Sequence, residues 1–452
     1  MNRSETVDLC VIGAGISGLS LAAFASQQLS VCVVEQKDRV GGILQTKELG
    51  EALFDEAANG WLDSEPSVEE LINLMGASSS ITPANTEGAT RFLVKDQQLH
   101  PLSPKLLLRS TPLLSWWQKI RALREYFWSP ALKGEPSMAH FMRSRFGAGI
   151  IDNFLAPMCA GIYADTPESI SVRAAFPNLW EMAHSGSIIR QLLARLKDKT
   201  RKTPHLTSMK HGTSQLCSDI AKHLTDHGHS IQTSTSAERI VYEQDKWTIY
   251  TSNGVIKAKG LAITTPAQPM ANLLSEHFPT IGKSLQEIEY APVAVVMQTF
   301  PIEAFSTPPR GFGALLSRSD QASGLLGILF SSHLYPNRCP QNVVMTRSIL
   351  GGAIAPSLLE QSDADLEKVA LQAHRDIFQC PNLSPLQVHT VRWDKAIPRY
   401  QVGHWQRQQQ CHQFHQSTPH LRLSGNHLFG VAVKDCIRIG KEHAIHFIST
   451  LS

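Results

Sequence analysis

A chain of 452 residues exceeds what one ordinary core supports, so at least two lobes around a large buried interior are expected. The composition, 42% hydrophobic and 18% charged, is that of a globular protein, and a net charge of +3 from 42 basic and 39 acidic residues excludes nucleic acid as the default partner. Eight scattered cysteines without a CxxC pair read as buried free thiols. The opening residues do not read as a signal peptide, and no apolar run reaches the roughly 20 residues of a membrane-crossing helix, so the expected location is the cytoplasm.

Residues 7–13 read as a strand, 16–28 as a helix and 31–35 as a second strand, a βαβ opening. Gly13, Gly15 and Gly18 form GxGxxG at the strand-to-helix junction, where the motif has its physical use. The first glycine permits the turn, the second lets backbone approach a pyrophosphate, and the third lets helix and strand pack closely. The phosphates would sit at the helix N-terminus. Glu35, 22 residues after Gly13, ends the second strand where a carboxylate can hold an adenosine ribose. In the "EQKDRVGG" run that follows, Arg39 reads either as a phosphate-side cation or as a solvated surface arginine, and Gly41-Gly42 gives close backbone access.

Turn residues and a helical pattern fill 51–75, and 91–102 alternates like a hairpin. Residues 101–130 mix Leu106, Leu107, Leu108, Leu113, Leu114, Trp116, Trp117, Phe127 and Trp128 with Lys105, Arg109, Lys119, Arg121 and Arg124. That mixture suits either a core helix with a basic outer face or a surface that dips into lipid headgroups. The pattern stays mostly helical to 196, turns to strands over 230–263 with a turn at Asn253-Gly254, and is strand-rich again over 293–350. A last strand-helix unit starts near 421 and includes Gly425 and Gly430, and its helix N-terminus favours negative charge on a bound cofactor. His412, His415 and His420 lie in a Gln-rich stretch without a second ligand pair, so no metal is expected.

The continuation "EQKDRVGG" is typical of the large FAD family that includes amine oxidases and phytoene desaturases. Nearly the whole chain resembles the protoporphyrinogen oxidase family, through "RFLVKDQQLHPL", "APMCAGIYADTPESISVRAAFP", "MKHGTSQL", "GFGALL", "LGILFSSHLYPNRCP", "WDKAIPRYQVGH" and "GVAVKDCI" in that order. The resemblance implies an α/β (α+β) fold of three parts. These are a Rossmann-type FAD-binding domain assembled from discontinuous segments 1–90, 205–290 and 405–452, a mixed-sheet substrate-binding domain 291–404, and a helical membrane-associated domain 91–204 that also lines the substrate.

The resemblance further implies that FAD is held by Gly13, Ala14, Gly15, Ile16, Ser17 and Gly18, by Glu35, Gln36, Arg39, Gly42 and Ile43, by Ala57, Ala58, Asn59 and Gly60, and by Ala237, Asn426, Val431, Ala432 and Val433. "AANG" at 57–60 departs from the family's usual "GP" run, Ala237 stands where valine is usual, and His211 replaces one of a glycine pair. A porphyrinogen substrate would meet Arg91 through a propionate, Leu315 and Tyr335 across the macrocycle, and Gly161 beside it. On the residues alone Arg91 also reads as a surface hairpin arginine, and Leu315 and Tyr335 as core. The implied reaction is three successive hydride transfers to the flavin, with dioxygen or another acceptor reoxidising it and no side chain required as general base. Coproporphyrinogen III is the neighbouring substrate reading, and a flavin amine oxidase, which needs an aromatic cage, the more distant one. Peripheral attachment to the inner face of the cell membrane and a homodimer are the partner expectations.

Overall fold

The computed structural model describes residues 4–102, 113–128, 130, 133–197 and 204–451. The apolar run at Ser4–Ile12 forms strand β1, and Ile16–Ala25 forms helix α1. Val31–Val34, buried along its whole length, forms β2, parallel to β1 with Leu9 opposite Val31 and Ile12 opposite Val34. Continuous apolar runs of this kind mark strands covered on both faces. On the far side of β1 lies Gly254–Ile263, also parallel, with Ile12 opposite Ile263. The sheet runs Ser230–Gln232, β2, β1, Gly254–Ile263, Lys246–Thr251, Ala237–Glu243, and Leu421–Leu423 pairs with the end of Gly254–Ile263. The strand expectation for 230–263 is met by its last three strands as an antiparallel meander, whereas the first crosses to the opposite edge beside β2.

One face of this sheet packs on α1 and the last helix, Val433–Leu451, where Gly440 lets that helix approach within a side chain's thickness of Ser17 and Ser20 of α1. The other face packs on Ala267–Leu274 and Pro279–Gln286. A second sheet runs Gln387–Pro398, Tyr290–Pro301, Val343–Gly351, Leu325–Leu329, Gly313–Leu316, Arg91–Lys95, Gln98–Leu102. Its outer face is covered by Asp363–Ile377, through Leu366 and Ala370 against Ala294, Val296 and Leu350. Its inner face, with Val293, Val295, Met297 and Met345, packs on Ala52, Phe54, Ala160 and Ala164, and so looks towards the dinucleotide lobe. The Arg91–Leu102 hairpin is the edge of this sheet, although the segment division above groups it with the helices.

The helices between 116 and 197 form their own core around Phe141, Phe146, Leu155, Tyr163 and Trp180. Buried Glu125 ties them together, bonding Arg145 at 2.9 Å, Ser187 Oγ at 2.8 Å and the first amides of Ile188–Lys197. Of the residues singled out in 101–130, Lys105, Leu106, Leu107, Leu108 and Arg109 lie outside the described residues. All eight cysteines are free thiols; seven are buried and Cys339 is partly so.

Candidate active site

At the first turn, Gly13 has φ +107, and a Cβ there would lie 2.9 Å from Thr264 Oγ1; a Cβ on Gly18 would collide with the Gly13 carbonyl. These two glycines are needed for internal packing. Gly15 is different, because a Cβ on it would meet nothing within 4 Å. The space beyond Gly15 is open where a pyrophosphate would approach, and Gly15 is the N-cap of α1 with no side chain satisfying the first amides. Ala14, Ile16 and Ser17 surround it. Glu35 accepts from Ala14 N–H at 2.8 Å and Lys37 N–H at 2.9 Å, which fixes the carboxylate while leaving lone pairs for a ribose. Gln36 next to it is exposed. The Ser234 and Thr235 amides bond the Lys37 and Glu35 carbonyls, which brings the turn before Ala237 to the same place.

Gly15 and Gly41 form an isolated parallel bridge, and Arg39 donates to the Gly42 carbonyl at 3.0 Å, so the second glycine pair lies directly on the first turn. Arg39 therefore braces the loop instead of standing free in solvent. Ile43 is 37% exposed beside it. Ala58 and Val433 join one hydrophobic cluster with Leu44 and Leu19. Asn426 and the 430–433 turn are pinned by Tyr400, whose hydroxyl donates to the Asn426 carbonyl at 2.8 Å and accepts from Gly430 N–H at 2.9 Å. Val431 and Ala432 then lead into Val433–Leu451. The predicted cofactor segments are separated by up to 420 positions, from Gly13 to Val433. The open cradle at Gly15, the anchored acid and the converging loops fit FAD.

Across the second sheet, pairing puts Arg91, Gly313, Leu329, Arg347, Met297 and His389 in one lateral row. Leu93, Leu315, Gly327, Ile349, Val295 and Val391 form the next row. Laterally paired side chains share a face. Gly161 is pressed against this face, for a Cβ on it would lie 2.5 Å from Leu315 Cδ2. Arg91 is exposed with its guanidinium 4.8 Å above the Phe312 ring, and no carboxylate binds it among the described residues. Tyr335 is only 2% exposed, its ring 4.3 Å from the Arg338 guanidinium, and a Cβ on Gly60 would lie 2.8 Å from its hydroxyl. Burial pushes that phenol well above its ordinary range.

Sequence reasoning missed the charged network behind Tyr335. Asp55 accepts from Thr213 N–H at 2.7 Å, Thr213 Oγ1 at 3.0 Å and Thr46 Oγ1 at 2.8 Å, and its other oxygen pairs with buried Arg338. Arg338 also bonds Ser208 Oγ at 2.6 Å and the Met209 carbonyl at 2.8 Å, locking the two lobes together. Arg347 bonds Asn59 Oδ1 and, at 2.5 Å, the Ala57 carbonyl. The available signal was a single charge within the otherwise uncharged "VVMTRSILG". Of the C-terminal histidines, His415 Nε2 accepts from Leu423 N–H at 3.0 Å, and the His412 ring lies 4.8 Å from Phe429, tilted by 37°.

A dinucleotide cradle packed on a second sheet through Ala52, Phe54, Val293 and Val295 is the arrangement of a two-lobed flavoenzyme, and the chain belongs to the family of flavin containing amine oxidoreductases, which it matches over residues 16–445. It is an FAD-dependent oxidoreductase. It is similar to protoporphyrinogen oxidase 1, chloroplastic, of Spinacia oleracea, at 29% identity over 486 residues, covering 99% of this chain and 85% of that one. It is also similar to coproporphyrinogen III oxidase of Bacillus subtilis, at 25% identity over 457 residues, covering 95% and 96%. A solved chain from Exiguobacterium, 23% identical, shares the fold with a TM-score of 0.83 over 99% of this chain and 100% of that one.

Proposed function

We propose that this enzyme oxidises a porphyrinogen to the porphyrin, with protoporphyrinogen IX as the substrate. The observation that carries the reading is the face made by Gly161, Leu315 and Gly327. Gly161 and Gly327 make room for the Leu315 side chain, which fills the space a Cβ on Gly161 would take, and this close-packed leucine is the apolar wall that the edge of a broad, flat molecule would meet. Arg91, at the open end of the adjoining row, supplies a cation for a propionate. FAD supplies the two-electron acceptor, used three times per porphyrinogen. The chain's own residues bind the macrocycle, orient it and exclude water, and we assign dioxygen as the final acceptor, reduced to hydrogen peroxide.

Anaerobic mixing of the yellow holoenzyme with protoporphyrinogen IX and, separately, coproporphyrinogen III tests this directly. Fast flavin bleaching by the first, followed by porphyrin fluorescence in air above an enzyme-free blank, is the expected result. Bleaching by neither substrate would overturn the porphyrinogen reading. Bleaching only by coproporphyrinogen III would establish the second reading, which the likeness to the Bacillus subtilis enzyme favours.

Attachment to one leaflet, on the cytoplasmic face of the cell membrane, completes the proposal. Trp116, Trp117, Ile120 and Leu123 of the Trp116–Leu123 helix, with Phe127 and Trp128, are exposed, and so are Leu192 and Leu193 of Ile188–Lys197. Arg121 and Arg124 are exposed among them. Aromatic and aliphatic side chains beside arginines suit the headgroup boundary. Among the described residues no helix is long and apolar enough to cross a membrane.

A further inference from the structure

Two guanidinium groups, Arg338 and Arg347, are buried behind the Ala57–Gly60 loop, being 3% and 4% exposed, and one carboxylate stands beside them. That carboxylate, Asp55, is fully engaged by Arg338, Thr213 and Thr46. The nearby carboxylate of Glu56 is turned to His389 at 3.3 Å. Arg347 is left with neutral acceptors, the Asn59 amide oxygen and the Ala57 carbonyl, and its Nε has no partner. Desolvation lowers its pKa to about 10, with Asp55 opposing the shift and Arg338 adding to it. An uncompensated buried cation costs several kcal/mol in a protein interior, so such groups persist where an anion completes them.

The loop that Arg347 grips identifies the anion. Both of its bonds end on Ala57 and Asn59, in the segment that the family resemblance assigns to FAD, and because Asn59 Oδ1 accepts from Arg347, the amide nitrogen of Asn59 is turned away from it as a donor. Arg91, in the same sheet row, is three strands away, about 14 Å at the usual strand spacing, and stands in solvent. The two arginines therefore have different tasks. We propose that Arg347 is a positioning residue that fixes the Ala57–Gly60 loop and, through its unpaired charge, stabilises the anionic form of reduced FAD. This rests on FAD as the cofactor and is independent of which substrate reduces it.

The test uses the holoenzyme with Arg347→Met, Arg347→Lys and Asn59→Asp, the last placing a neutralising carboxylate beside the guanidinium with almost no change in volume. Two quantities are read without substrate: the flavin midpoint potential by equilibrium dye reduction, and the pH at which the reduced flavin loses its N1 proton, by absorbance. Removing the charge makes the reduced anion less stable, so the potential falls and the N1 ionisation moves to higher pH. Arg347→Met is expected to show at least a tenfold effect, about one pH unit in the ionisation or about 30 mV in the two-electron potential. Asn59→Asp is expected to move both in the same direction, and Arg347→Lys to retain most of the wild-type values. Unchanged potential and ionisation in an FAD-loaded Arg347→Met enzyme whose KM for the porphyrinogen rises would overturn the proposal and make Arg347 a substrate anchor. Should Arg347→Met fail to hold FAD, an unchanged potential in Asn59→Asp overturns it equally.

Discussion

Arg91 and Tyr400 are held in very different surroundings. Arg91 stands at the edge of the second sheet, with only the Phe312 ring beneath its guanidinium. A charge-assisted bond to a carboxylate contributes about 1.5–3 kcal/mol, so Arg91→Ala should raise the porphyrinogen KM by about ten- to a hundredfold while FAD stays bound. An unchanged KM would remove Arg91 from the substrate site. Tyr400, 1% exposed, spans the Asn426–Gly430 turn with one hydroxyl. Tyr400→Phe leaves a buried N–H and carbonyl unpaired, which costs about 1–3 kcal/mol. We expect a lower urea midpoint and faster loss of FAD on dilution, and FAD retention equal to wild type would show that the turn holds without this clamp. Arg91 was singled out in the sequence because its type and position matched a family pattern, and its substrate role is the expectation that the Arg91→Ala measurement tests. Tyr400, Arg338 and Arg347 were not, because their partners lie 26 to 290 positions away and only folding brings them together.

At the scale of elements, the βαβ opening was legible because its determinants are local: a continuous apolar strand, glycines at fixed spacing, and an acid at the end of the next strand. Its helix ends at Ala25, three residues before the expected end, since helix termini carry weak signals. The aromatic and basic segment behaves differently. Composition allowed a core helix or a membrane face, and the folded chain leaves Trp117 78% and Phe127 81% exposed. Trp117→Glu with Phe127→Glu should therefore fold normally and lose most of its cosedimentation with anionic phospholipid vesicles. Equal binding by wild type and the double variant would sink the membrane proposal. The residues this helix buries are Lys119 and Ala122, so one of the basic side chains faces inward and the larger apolar groups lie on the outer side.

For the whole molecule, the buried histidines set the response to acid. Burial lowers the pKa of His374 to about 4, those of His404, His427 and His443 to about 3, and that of His415 to about 2. In the unfolded chain a histidine takes up its proton near pH 6.5, whereas these stay neutral in the folded one. The unfolded state therefore binds more protons below that pH, and each such group adds a slope of about 1.4 kcal/mol per pH unit of lost stability as the pH falls from about 6.5 towards its folded pKa. Urea midpoints of the holoenzyme should drop steeply between those limits and stay level just above them. A midpoint that did not change down to about pH 5 would mean that these rings are not buried neutral.

The sequence by itself determined the glycine turn between strand and helix, the acid that ends the next strand, and the family to which the chain belongs, because each rests on residues close together along the chain or on motifs in fixed order. It also indicated that the FAD lobe is discontinuous, from cofactor signals at both ends. Tertiary structure alone decided which strands of the second sheet share a row, that Gly161 is pressed onto Leu315, and that the one carboxylate beside two buried arginines pairs with Arg338 and leaves Arg347 to neutral acceptors. Sheet register and buried charge balance are sums over distant segments, and no local pattern of residues carries them.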